Sequence, residues 1–154
     1  MFPHFAYDFL ESKTPQLAYK QWKNTTYFVY NDKSTECPDC GYKKDVADKE
    51  GNLYWGQWSA DGTKEGRGTM LFKYGDIYEG YWKDGKYEGK GRLIWHNGRK
   101  YLGRWRNGKM QGEGVLRYET GDIYEGYMVN GMRSGHGILT YANGDRYDGY
   151  WLLD

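Results

Sequence analysis

Two cysteines close together are the first residues in the chain that could do chemistry. Cys37-Pro38-Asp39-Cys40-Gly41 forms the kind of turn that presents two thiolates to one metal ion. A structural zinc takes four ligands, and the chain has no second cysteine pair. His4, His96 and His136 are scattered along it. A metal at Cys37 and Cys40 would need ligands from His4 or from another chain. The alternative is a reduced turn with no metal, as expected inside a cell, and no other cofactor is expected.

A second candidate is electrostatic. Between Glu88 and Glu113 lie Lys90, Arg92, Arg99, Lys100, Arg104, Arg106 and Lys109, with no acidic residue among them. Lys90, Arg92, Lys100, Arg104 and Arg106 share strand parity, so one face could carry them as a patch. Such a patch suits an acidic protein partner, or anionic lipid headgroups at about 1 kcal/mol per basic residue. It is equally what a solvated face needs to resist edge aggregation. Net charge is only +1, and nucleic acid is not expected. The aromatics needed to stack bases fall on the other face.

Catalysis finds no support. The histidines have no Ser or Cys partner in a recognisable motif. Gly89-Lys90-Gly91 lacks the frame of a phosphate loop, and no helix follows it. Glu79 and Glu125 sit at strand positions expected to be exposed, so a solvated face explains them better than an acid–base pair.

The elements that must hold these residues follow from composition and period. The chain has 154 residues with 23 Gly, 17 Tyr and 7 Trp. Aromatics exclude a disordered chain, and interior glycines, at about 1 kcal/mol each, exclude a helical bundle. Strands joined by tight turns remain. No apolar run reaches the roughly 20 residues needed to span a bilayer. The N-terminus lacks a basic n-region, so a cytoplasmic protein is expected.

All but two of the glycines, Gly41 and Gly51, lie between Gly56 and Gly149. There the phrase Tyr-x-Gly-x-Trp recurs at Tyr54, Tyr78, Tyr101, Tyr124 and Tyr147, with Met128 once replacing Trp. Gly-x-Gly follows at Gly66/Gly68, Gly89/Gly91, Gly112/Gly114 and Gly135/Gly137. A third glycine, at Gly75, Gly98, Gly121 and Gly144, precedes the next copy. Tyr, Gly and Trp at alternate positions share one face of a strand. Asp61-Gly62, Asp84-Gly85, Asn107-Gly108 and Asn130-Gly131 are hairpin-turn dipeptides. A symmetric hairpin would pair Tyr78 with Leu93, Gly80 with Gly91 and Trp82 with Gly89, laying the indole over a glycine. The same parity puts Trp95, Leu116, Tyr118, Leu139 and Tyr141 on the aromatic face. Glu79, Tyr81, Lys83, Lys90 and Arg92 fall on the opposite, mixed face. One hairpin is marginal alone, so the units should stack into one antiparallel sheet, about 45 Å long at about 4.8 Å per strand.

These residues closely resemble the MORN repeat, Tyr-x-Gly-x-Trp-x-x-Gly-x-x-x-Gly-x-Gly, over residues 54–154. The resemblance implies a mainly β fold, a single elongated antiparallel sheet of stacked hairpins with a short N-terminal extension. Residues 54–154 would hold four full repeats and the first strand of a fifth, and residues 1–53 a cap or docking extension. It also implies a non-enzymatic scaffold, because such proteins occur in radial spokes and other ciliary assemblies, in apicomplexan cytoskeletal structures and in junctophilins. The expected partners are proteins of a cytoskeletal or ciliary (axonemal) complex. A peripheral membrane module that binds anionic phospholipid through Lys90, Arg92, Arg99, Lys100, Arg104 and Arg106 is the rival. A carbohydrate or choline binder ranks last.

Two terminal features complete the expectations. Phe5–Leu10 and Gln16–Trp22 read as short helices, and Thr26–Tyr30 as a strand, together covering an edge or the aromatic face of the sheet. At the other end Tyr147, Tyr150, Trp151 and Leu152 form an edge strand with no returning partner in the sequence. That edge should be paired in the working state, by a partner strand, by further repeats, or by a second copy in a homodimer.

Overall fold

The computed structural model describes residues 37–154. Its strands are β1 (Gly41–Ala47), β2 (Leu53–Trp58), β3 (Lys64–Leu71), β4 (Ile77–Lys83) and β5 (Lys86–Ile94). They continue with β6 (Lys100–Arg106), β7 (Lys109–Arg117), β8 (Ile123–Val129), β9 (Met132–Thr140) and β10 (Arg146–Leu152). Among the described residues they form one sheet of ten strands in chain order, each antiparallel to the next. This is the sheet of stacked hairpins that the glycine and tyrosine spacing predicts. The extension adds a strand to it, since β1 pairs with β2. The segments expected over Phe5–Leu10, Gln16–Trp22 and Thr26–Tyr30, and their capping role, lie outside the described residues.

Two turn geometries alternate. Within repeats, Asp84-Gly85, Asn107-Gly108 and Asn130-Gly131 have both residues at positive φ, from 48° to 89°. That is the two-residue turn whose twist matches its strands. Asp61-Gly62 departs from it: only Gly62 has positive φ, at 83°. The extra residue in Ser59-Ala60-Asp61 gives a longer turn in which Gly62 N–H donates to the Ser59 carbonyl and Ser59 N–H to that of Thr63. The links between repeats have this same geometry, with Gly75, Gly98, Gly121 and Gly144 at φ from 92° to 96°.

The hairpin register corrects one expectation. Tyr78 does face Leu93, and Gly80 faces Gly91. Trp82, however, faces Tyr87 and not Gly89, because the return strand bulges between Glu88 and Gly91. Gly89 supplies the left-handed residue of that bulge at φ 61°, a conformation that costs glycine nothing. It faces Trp105 of the following repeat, as Gly66 faces Trp82. The two glycines of each Gly-x-Gly phrase therefore do different work, the first bending the strand and the second lying under a ring.

That ring is tyrosine, where the symmetric hairpin had predicted tryptophan. Gly56, Gly68, Gly80, Gly91, Gly103, Gly114, Gly126, Gly137 and Gly149 face one another in an unbroken row across β2 to β10. Tyr54, Tyr78, Tyr101 and Tyr124 each lie over the glycine of their own strand and over the one opposite on the return strand. A β-carbon added to Gly80 would lie 2.5 Å from the Tyr78 hydroxyl and 2.7 Å from the Gly91 Cα. The phenol then donates to the carbonyl three residues on, Tyr78 to Tyr81 at 3.0 Å and Tyr124 to Tyr127 at 2.9 Å. A buried hydroxyl is thus satisfied without leaving its strand. Tryptophans meet these rings edge-on, as at Tyr78–Trp82 and Tyr78–Trp105, 5.2 and 5.6 Å apart. Tyr54, Met70, Leu93, Tyr101, Leu116, Met128 and Leu139 extend this aromatic core along one face.

Candidate docking surface

The opposite face changes character along the sheet. In β4 every residue from Ile77 to Trp82 is buried, so both faces are covered. Trp55, Thr69, Leu71, Tyr81 and Ile94 are buried on this second face as well. From β6 onward burial alternates with strand period, and the second face opens. Glu79, expected on a solvated strand position, is buried at 4% exposure and paired across the strands with the guanidinium of Arg92, itself 4% exposed. Burial of a carboxylate demands such a partner.

Repeats two and four allow a residue-by-residue comparison. Tyr81 is fully buried, whereas Tyr127, at the corresponding position, is 45% exposed. Glu125 corresponds to Glu79 and is exposed. Opposite it, where Arg92 would stand, is the aliphatic side chain of Ile138. Together with Glu113, Val115 and His136 these residues line a groove of about 740 Å³ over β7 to β9. On the neighbouring β10, Asp148 holds His136 at 3.0 Å, and Tyr150, 80% exposed, meets the imidazole edge-on. The sequence reading did not single out this set. Its signal was present in strand parity, which places Glu125, Tyr127, His136 and Ile138 together once the bulge is known.

The six basic residues read as one patch are not all at the surface. Arg92 is inside, neutralised by Glu79. Arg99 stacks on Trp95 and Tyr118, at 4.9 and 5.3 Å from the ring centres, so its charge is engaged with aromatic rings. Lys100 is partly buried, which together with the nearby charges of Arg92 and Arg117 lowers its pKa to about 8. Arg104 and Arg106 remain exposed and Lys90 intermediate. Lys90 and Arg104 face each other across β5 and β6.

Cys37 and Cys40 are joined in a disulfide, which differs from the reduced pair expected and leaves neither sulfur as a thiolate for metal. No group of three or more His, Cys, Asp or Glu among the described residues is placed to hold a metal ion. The turn is tied to the sheet by the Gln57 amide, which donates to the Cys37 carbonyl at 3.1 Å. At the far end Tyr147, Tyr150 and Leu152 are exposed and Trp151 partly so. Among the described residues β10 pairs with β9 on one side only.

Comparison with known proteins decides the family. The MORN repeat profile matches residues 78–98, 101–123 and 124–146. Residues 78–146 of the chain are MORN repeats. MORN repeats serve in general as protein or membrane interaction modules, non-enzymatic in character. No curated protein matches the chain. Among solved structures, the TCP domain of Drosophila melanogaster SAS-4 (dCPAP), in complex with a proline-rich motif of Ana2 (dSTIL), is similar at 15% identity. The likeness covers 82% of this chain and 99% of that one with a TM-score of 0.24, too slight to bear on function.

Proposed function

We propose that this MORN protein is a non-catalytic adaptor that holds a partner protein against the open second face of β6 to β10. One observation carries the reading. The same face is buried over β2 to β5, while the corresponding residues farther along are bare. Tyr127 and Tyr150 offer the amphipathic rings favoured at interface centres, and Val115 and Ile138 add apolar area beside the carboxylates of Glu113 and Glu125. The setting, a cytoskeletal or ciliary assembly, is supported by the company in which MORN repeats occur.

The test is site-specific crosslinking in ciliated cells, with a photoreactive phenylalanine at Tyr127 and, separately, at Asn107 in an exposed turn. A crosslink to one protein of the ciliary or cytoskeletal fraction from position 127 alone supports the adaptor. Equal labelling from both positions, or membrane-fraction recovery lost on replacing Arg104 and Arg106 with Ser, would favour the peripheral membrane rival.

A further inference from the structure

The second and fourth repeats set the same two side chains against unlike neighbours. In the second, Arg92 Nε donates to the Glu79 carboxylate at 2.9 Å, and the Arg67 guanidinium lies 6.0 Å from the centre of the Tyr81 ring. The two arginines come from the flanking strands, Arg67 standing opposite Tyr81 and Arg92 opposite Glu79. In the fourth repeat Glu125 and Tyr127 hold the equivalent positions, and both arginines are replaced. Glu113 stands opposite Tyr127 where Arg67 would be, and Ile138 opposite Glu125 where Arg92 would be. Thr69, opposite Glu79, gives way to Val115, opposite Glu125. Glu113, Glu125 and Tyr127 are exposed, and neither carboxylate has an ion-pair partner among the described residues. Arg104 runs beside Gly112 without pairing with Glu113. Arg117 and Arg146 stand a row away, opposite Ile123 and Thr140. The groove thus keeps the two groups that engage guanidinium elsewhere in this sheet and adds a second carboxylate.

We infer that this groove receives an arginine side chain of the partner protein, its guanidinium against the Tyr127 ring between the carboxylates of Glu113 and Glu125. The inference rests on the adaptor reading and names what the partner must bring. Charge complementarity asks for a cation, and the chemistry selects arginine over lysine. A planar guanidinium can stack on a phenol while donating to two carboxylates, whereas an ammonium is a compact, strongly hydrated point charge. In the second repeat both cations at the equivalent places are arginines. Val115 and Ile138 offer an apolar wall to the aliphatic stem of the incoming side chain. Arginine and tyrosine are also the residue types that most often carry interface energy. The chain's own leading segment does not supply this group, because no arginine precedes Arg67. Arg67 and the arginines after it are carried by the strands and turns of the sheet itself.

The probes are acetyl-Gly-Arg-Gly-amide and the same peptide with lysine or uncharged citrulline at its centre, added to the full chain with labelled Val and Ile methyl groups. The arginine peptide should shift the Val115 and Ile138 methyl signals saturably, binding about tenfold more tightly than the lysine peptide. The citrulline peptide should not saturate. Glu125→Gln should weaken the arginine peptide about tenfold, since a charge-assisted pair is lost. Glu113→Arg combined with Ile138→Arg restores the pattern of the second repeat. That variant, checked for retained sheet by circular dichroism, should no longer bind the arginine peptide. Equal binding of the arginine and lysine peptides would overturn the inference, as would no methyl shift by either. Undiminished binding in Glu125→Gln would overturn it too, whether or not the double variant folds. The photocrosslink at position 127 judges the adaptor separately. A crosslink without preference for the arginine peptide keeps the adaptor and removes this inference, whereas preference without a crosslink keeps the arginine site and removes the adaptor.

Discussion

Gly80 and Gly91 face each other under one phenol, yet substitutions at the two should behave differently. A β-carbon on Gly91 finds atoms of Tyr78 nearest, whereas one on Gly80 also meets the Gly91 Cα at 2.7 Å and the Lys90 carbonyl at 2.8 Å. Both alanine variants should lose about 1–3 kcal/mol, the usual overpacking range. In a Tyr78→Ala background the Gly91→Ala cost should largely vanish while that of Gly80→Ala persists. A double-mutant cycle in urea measures this coupling, and equal couplings would show that the phenol alone sets the spacing. Lys100 gives a second residue-scale test. Its folded pKa of about 8 lies below the ordinary 10.5, so between these values the unfolded chain binds the additional proton. Stability should therefore rise from pH 8 toward pH 10 and be lost as pH falls through about 8. Above pH 10 the trend should reverse, because burial raises the phenol pKa values of Tyr87 and Tyr101. Thermal melts of the unmodified chain and Lys100→Met across pH 7.5 to 10 should show the rise in the first and its flattening in the second.

At the scale of the hairpin, Tyr-x-Gly-x-Trp and the Asn-Gly turns made the strands and their order legible, because side-chain alternation and turn chemistry are local. The bulge was not legible. Gly89-Lys90 looks the same in sequence whether Gly89 continues the strand or leaves it at φ 61°, and only the competition between ring packing and backbone pairing decides. The error moved tryptophan onto the wrong glycine and hid the tyrosine that does the covering. The groove was missed for a related reason, since Glu79 and Glu125 read alike until one is seen against Arg92 and the other against Ile138. The first hairpin offers a test of turn logic. Deleting Ala60 restores the length of Lys83-Asp84-Gly85, so Asp61-Gly62 should adopt the two-residue turn. Loop-length cost is small, about 0.6 kcal/mol per doubling, and the urea midpoint should move little. Loss of the cooperative transition would show that the hydrogen bonds of Ser59, to Asp61 at 2.5 Å and to the Thr63 carbonyl at 3.1 Å, hold that end of the sheet.

Across the whole molecule the same unit is used repeatedly under unlike conditions. β2 to β5 bury residues on both faces and β6 to β9 on one, although the repeats that build them are closely similar. Stability in such an array is a sum of repeat and neighbour terms, so burial on the second face is an addition that the repeat itself does not require. The pairing of one tyrosine with two glycines also sets a rule of arithmetic for the length of the sheet. Within the interior of the sheet strands can be gained or lost only two at a time, because an odd cut there leaves either a phenol without its second glycine or a glycine without its cover; only the end strand β10 has a tyrosine over a single glycine. Excision of residues 100–122 obeys the rule. It joins Arg99 to Ile123, lets Gly126 take the place of Gly103 opposite Gly91, and should give a sheet two strands shorter that still melts cooperatively. Excision of residues 109–122 removes a single strand, places Tyr101 and Tyr124 on neighbouring strands, and should leave a chain that no longer folds as one unit. For a gene, that makes the 23-residue block the smallest piece that can be copied or dropped without breaking the protein.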